Sequence, residues 1–200
     1  MRSIDLSAIS GADLRKRDAI AREAGVNLKD CYQCGKCTAG CPMAHGMDLM
    51  PREVIRLLQL GAVDDVLRSK TPWICAQCEV CSTRCPQEVD ICSLMRAVRL
   101  NARAAGIVPV REAEIFENEF IASVRKHGVS NEQYLAAWYN VKSHHLTQDM
   151  GNAKRMLKRK MVGVSTHNTQ GRADVKALID RALEADAASR AAKEDAKGGE

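Results

Sequence analysis

The chain has 200 residues, 46% of them hydrophobic and only 4% aromatic, with a formal charge of +5. That composition excludes a disordered chain and fits one domain, or a domain with an appendage, whose core is built from Leu, Ile, Val, Met and Ala. Nine cysteines in 200 residues are too sparse for a small disulfide scaffold, and a charge of +5 does not call for a nucleic-acid partner.

Residues 1–17 alternate polar and apolar side chains, without the apolar core of a secretory leader. No apolar run approaches the roughly 18 residues that span a bilayer. These features place the chain, as an expectation, in a reducing cytoplasm, where clustered cysteines signal metal more often than disulfide.

In chain order, residues 1–30 read as a short helix and a lead-in. Ser10 and Asp13 mark its start, Leu14, Ile20 and Ala21 its apolar stripe, and Gly25 its stop. An internal repeat follows. Cys31, Cys34, Cys37, Cys41 and Pro42 recur 44 residues later as Cys75, Cys78, Cys81, Cys85 and Pro86. After the first set, Pro51 opens a helix over about 51–60, with Met50, Val54, Leu57 and Leu58 on one face and Gly61 past its end. A second candidate helix covers about 63–68. After the second set, Leu94, Val98 and Ala102 repeat the stripe and Gly106 ends it. Helices rather than strands separate the motifs, so the fold class is all-α, a ferredoxin-type domain over 31–106.

Beyond Arg111 the cysteines stop. Ile115, Phe116, Phe120 and Val124 suggest a helix closed by Gly128, and Ser130 with Gln133 suggests the start of another carrying Leu135, Trp138 and Val141. A third is expected over 154–161, and a last one, with Val175, Leu178, Ile179 and Ala182, opens near Gly171. This gives a helical partner-docking region over 107–190 and a small, charged, disordered tail over 191–200.

Each cysteine set reads C-x2-C-x2-C-x3-C-P. Three cysteines at that spacing wrap one four-iron cubane. The fourth, followed by proline, turns away and ligates the other cluster. The expected ligand sets are therefore Cys31, Cys34, Cys37 and Cys85 for one 4Fe–4S cluster, and Cys75, Cys78, Cys81 and Cys41 for the other. Zinc fits poorly, because structural zinc takes its four ligands as two pairs. Cys92 reads as a small buried apolar residue; counting back 44 residues gives Asp48. Tyr32 and Trp73 are expected to shield the clusters, and Lys36 and Arg84 to raise their potentials. The stretch 154–160 holds Lys154, Arg155, Lys158, Arg159 and Lys160 with no acid; it is either a solvated face or a docking surface for an acidic partner. No aromatic interleaving accompanies it, so nucleic acid is not expected. His144 and His145 are adjacent, cannot share a helix face, and read as surface residues. No nucleophile–base constellation, phosphate loop or flavin fingerprint appears, so no catalytic residue is assigned and the chain is expected to pass electrons one at a time.

The segments EAGVNLKDCYQCGKCTAGCP, MDLMPREVIRLLQLG and TPWICAQCEVCSTRCPQEVDICSLMRAVR resemble the C-type subunit of heterodisulfide reductase over residues 22–106. GNAKRMLKRKMVG and GRADVKALIDRALE resemble that subunit's C-terminal region more loosely. The cysteine motifs alone are shared with succinate dehydrogenase iron–sulfur subunits and glycolate oxidase-type proteins. The resemblance implies an α-helical ferredoxin domain in a hetero-oligomer, docked to a catalytic B-type subunit with its own iron–sulfur clusters and, through it, to a flavin-containing A-type subunit. Such complexes reduce a mixed coenzyme disulfide in methanogens or, in bacterial sulfur oxidisers, work in the opposite direction on carrier-bound sulfur; the Ala/Arg-rich composition points to the latter.

Overall fold

A computed structural model describes residues 5–146, 148, 150–159 and 168–198. It divides into two compact units, residues 1–110 and 111–200. Among the described residues, regular structure is helical throughout, as the all-α reading requires.

The first unit opens with α1 (Gly11–Ala24). The Ser10 hydroxyl accepts the Asp13 N–H at 3.2 Å, and the Asp13 carboxylate accepts the Ser10 N–H at 3.0 Å, closing a reciprocal cap. The first cysteine motif contains the short α2 (Lys36–Ala39). Beyond it come α3 (Pro51–Leu60), α4 (Val63–Leu67) and α5 (Thr71–Ile74). The second motif contains α6 (Val80–Thr83) and leads into α7 (Ile91–Ala104).

Helices α1, α3 and α7 stop in the same way. Gly25, Gly61 and Gly106 all take positive φ, and the next N–H reaches back five residues: Val26 to Ala21, Ala62 to Leu57, Ile107 to Ala102. These 6→1 bonds satisfy carbonyls that a helix end leaves open, and glycine supplies the left-handed residue they need. At Gly61 an added methyl would also meet Ile9 and Leu14 side chains at 2.9 Å.

The core lies where the apolar stripes of α3, α4 and α7 meet Ile20 of α1. Val54, Ile55, Leu58, Val63, Val66, Leu94, Met95 and Val98 are all buried in it. It sits directly behind the cysteine motifs: Cys37 belongs to it, and Cys31, Cys75, Cys81 and Cys85 pack against it.

The second unit holds α8 (Arg111–His127), α9 (Glu132–Lys142), α10 (Met150–Lys158) and α11 (Arg172–Gly198). Three expectations change here. The side chain that caps α9 belongs to Asn131, which accepts the Tyr134 N–H at 2.9 Å, and not to Ser130. The buried side chains of α8 are Glu119, Ser123 and His127, while Phe116 and Phe120 of the expected stripe remain exposed. Residues 191–198, expected as part of a disordered tail, continue α11 to Gly198, because Ala, Lys and Glu are strong helix formers. Residues 199–200 lie outside the described residues, as do Lys160 and Met161 at the end of the helix expected over 154–161.

Candidate iron–sulfur centre

The sequence repeat is also a backbone repeat. Gln33 and Gln77 both take positive φ, at 64° and 51°, as do Gly35 and Glu79, at 82° and 61°. Each pair is related by the 44-residue offset. Left-handed residues alternating with ordinary ones turn successive N–H groups to one side, the arrangement that builds anion-binding concavities. Glu79 accepts a conformation that costs a side-chain-bearing residue about 1–2 kcal/mol, a mark of backbone shaped for a site. Donors already point at the sulfurs: Gln33 Nε2 lies 3.4 Å from Cys31 Sγ, and a Gln77 backbone hydrogen bond favours the Cys75 thiolate.

The motifs pack on one another through equivalent elements. Helices α2 and α6, repeat-related residue for residue, are in contact. Arg84 lies over Gly40, so close that a methyl there would run into its guanidinium. Gly40 and Arg84 are themselves repeat equivalents, and each precedes a fourth cysteine. Because Cys41 and Cys85 each adjoin this contact, the fourth cysteine of each motif lies towards the other motif.

A narrow cleft shows the result: Cys41 of the first motif lines it together with Cys75, Cys78 and Cys81 of the second. Pro42, Met43, Met47 and Met95 complete an apolar wall. Tyr32 of the first motif has its hydroxyl pushed up by burial first, then by Cys34 and, more weakly, by Cys85 of the second motif, which therefore lies near it. This apolar cleft, lined by cysteines of both motifs, fits a thiolate-ligated iron–sulfur cube. Among the described residues, no three His, Cys, Asp or Glu side chains close on one point as ligands of a single ion do.

The thiols are not comfortable as bare anions. Burial raises the Cys37 thiol, with Cys31 adding to the effect. Burial also raises Cys75, helped by Cys92, Cys41 and Cys78, and pushes Cys81 up to about 11, with Cys75 and Cys92 contributing. Low dielectric and like charges both disfavour thiolates, and coordination to iron reverses the balance by deprotonating them outright. Cys34 and Cys78, the middle cysteines, are exposed, while Cys37 is buried and the others half-buried. Each motif therefore offers one ligand position at the surface.

The helices that follow are tied to the motifs by equivalent hydroxyls. Thr38 Oγ1 accepts the Arg52 N–H of α3 at 3.2 Å, and Ser82 Oγ accepts the Cys92 N–H of α7 at 3.0 Å. The second half is four residues shorter between motif and helix, so past the cysteines the repeat offset falls to 40. The counterpart of Cys92 is consequently Arg52, not Asp48. Asp48 has a separate task, accepting N–H groups of Lys70 and Thr71 and the Ser69 hydroxyl.

Cys92 is buried, as its sequence context suggests, and it also lines the cleft; a repeat counted at one fixed offset hides that position. Trp73 is buried beneath the Arg99 guanidinium, 5.0 Å from its ring centroid. Tyr32 is 60% exposed and does not shield its motif as expected. Lys36, Arg84, His144 and His145 are all exposed. Lys154, Arg155 and Lys158 lie on α10 and Arg159 just past it, whereas Lys160 is outside the described residues.

Fold and site together define an all-α iron–sulfur protein: residues 30–90 match the 4Fe–4S dicluster domain family, and the chain carries two 4Fe–4S clusters. Its relatives are C-type iron–sulfur subunits of heterodisulfide reductases. It is 39% identical over 84 residues to the C-type iron–sulfur subunit of the CoB–CoM heterodisulfide reductase of Methanopyrus kandleri, covering 42% of this chain and 44% of that protein. It is 40% identical over 80 residues to a C-type iron–sulfur subunit of the CoB–CoM heterodisulfide reductase of Methanocaldococcus jannaschii, covering 40% and 42%. Against the C-type subunit of the H2:CoB–CoM heterodisulfide, ferredoxin reductase of Methanothermobacter marburgensis it is 33% identical over 91 residues, covering 46% and 49%. The chain thus spans less than half the length of these curated relatives. No helix among the described residues is long and apolar enough to cross a membrane.

Proposed function

We propose that this chain is the electron-transfer subunit of a heterodisulfide reductase-like complex, with Cys31, Cys34, Cys37 and Cys85 holding one cluster and Cys75, Cys78, Cys81 and Cys41 the other. The observation that carries the reading is the convergence of Cys41 with the second motif's three cysteines on one cleft, within the stretch that is similar to C-type subunits. Each 4Fe–4S cluster, when bound, takes up and releases one electron. The chain's own residues do the rest: thiolates fix the cluster positions, backbone N–H groups face the sulfurs, and Met43, Met47 and Met95 exclude water from one of them. Exposed Cys34 and Cys78 give each site an edge at the surface, as a relay between two partners needs.

The catalytic step then belongs to a B-type subunit, and a flavin-containing A-type subunit exchanges electrons through it. The Ala/Arg-rich composition favours a sulfur-oxidising version acting on carrier-bound sulfur, in the cytoplasm. Anaerobic purification from the native source tests this. About eight irons per chain and a copurifying B-type subunit are expected. Zinc in place of iron would overturn the cluster reading. Iron with a flavoprotein and a membrane anchor, and no B-type subunit, would instead place the chain with succinate dehydrogenase or glycolate oxidase relatives.

A further inference from the structure

The second residue of the helix after each motif differs between the halves. In the first half it is Arg52, whose guanidinium lies beside Gly35. In the second it is Cys92, whose thiol is pushed up by burial while the Glu79 backbone N–H nearby partly offsets that. Gly35 and Glu79 are repeat equivalents, so Arg52 and Cys92 occupy matching places against the two sites. Cys92 is only 8% exposed, and it lines the same cleft as Cys41, Cys75, Cys78 and Cys81. Five thiols line a site that takes four.

The fifth is held there. The Cys92 N–H donates to Ser82 Oγ at 3.0 Å, and the Ser82 hydroxyl donates to Asp90 Oδ1 at 2.7 Å. Asp90 in turn accepts the Ser93 N–H at 3.0 Å, capping α7. Displacing Cys92 would unpick the start of that helix.

We infer that Cys92 is a positioning residue, a protonated thiol that donates a hydrogen bond to the sulfur of the cluster held by Cys75, Cys78, Cys81 and Cys41 and raises that cluster's reduction potential. The inference rests on the crossed ligand sets proposed above. With the ligand set already filled, the thiol keeps its proton, and no bond to iron forms or breaks. One-electron reduction adds a negative charge to the site, and a donor to sulfur stabilises the reduced state more than the oxidised one. Hydrogen bonds to cluster sulfurs are among the levers that set such potentials, although an S–H is a weak donor. The first site has no thiol at the matching place, so the two clusters are tuned by different means.

The test uses the full chain, isolated anaerobically, with iron and sulfide analysis and redox titration followed by electron paramagnetic resonance. The signal of the second site is identified by its loss in Cys78→Ser. Native chain, Cys92→Ala and Cys92→Ser are expected to retain the same iron content. In Cys92→Ala the second site's midpoint moves to a more negative potential while the first stays fixed. In Cys92→Ser, whose hydroxyl still donates, the shift is smaller. Loss of half the iron in Cys92→Ala would make Cys92 a ligand and overturn the inference. An unmoved midpoint, equal shifts at both sites, or equal shifts in the Ala and Ser variants would also overturn it. A native chain without iron would remove the cluster reading itself, a distinguishable failure.

Discussion

Cys41 and Cys85 are each followed by proline and each adjoin the Gly40–Arg84 contact between motifs. Their exchange gives a test at single-residue resolution. Cys85→Ser is expected to lose the cluster held by Cys31, Cys34 and Cys37, and Cys41→Ser the one held by Cys75, Cys78 and Cys81. Each variant should keep about half the iron, and the electron paramagnetic resonance signal lost should differ between them; loss in each case of the cluster held by the mutated residue's own motif would refute the crossed sets. The eight proposed ligands can be picked out in sequence because their spacing is the one that cluster geometry dictates. The place of Cys92 cannot, because the halves differ in loop length and a linear offset carries no information about which residue starts the next helix.

Among the elements, the long helices are legible because proline and glycine punctuate them: the expected 51–60 helix is α3 (Pro51–Leu60), and Gly61 ends it. The four-residue α2, α5 and α6 are too short to show a period. In α8 the apolar stripe misleads, because the buried side is polar: Glu119 pairs with Lys142, Ser123 Oγ accepts the Asn131 N–H at 2.9 Å, and His127 Nδ1 lies 2.8 Å from Asn168. Helix α5 depends on a long-range cap. Asp48 accepts the N–H groups of Lys70 at 3.0 Å and Thr71 at 3.1 Å, and so fixes the helix that delivers Cys75. Burial pushes the Asp48 carboxyl up, but hydrogen bonds from Lys70, Thr71 and Ser69 outweigh it and hold it below the usual carboxylate range. A depressed folded pKa contributes stability that is complete above the unfolded value of about 3.9 and is lost only as pH falls through the folded one. Asp48→Ala is therefore expected to cost about 1–2 kcal/mol, constant between pH 5 and 8, in denaturant unfolding under argon. A cost that grew steadily across that range would mean a raised carboxyl pKa and contradict the capping account.

At the scale of the whole molecule, the proposed cluster ligands and the proposed docking face fall in different units. The first unit contains all eight proposed ligands, and the buried apolar cluster behind them draws only on residues 20–107. A core that closes within residues 1–110 has no need of the second unit to hold iron. The second unit is built otherwise. Its α8 and α9 bury a polar network and leave Phe116 47% and Trp138 45% exposed, and α10 carries Lys154, Arg155 and Lys158 without an acid. Exposed rings and an acid-free cationic helix within one unit are what a contact face would use, apolar anchors supplying affinity and charge supplying steering. A chain ending at Val110 is thus expected to keep about eight irons and both paramagnetic signals while failing to retain the B-type partner on anaerobic affinity purification. In the full chain, replacing Lys154, Arg155 and Lys158 by Ser should slow partner association several-fold at low salt and by much less at about 0.5 M salt, where screening has already removed the steering. Loss of iron on truncation would mean that the second unit stabilises the cluster domain. A salt-independent effect of the serine substitutions would remove α10 from the docking face and leave the exposed rings of α8 and α9 to carry it.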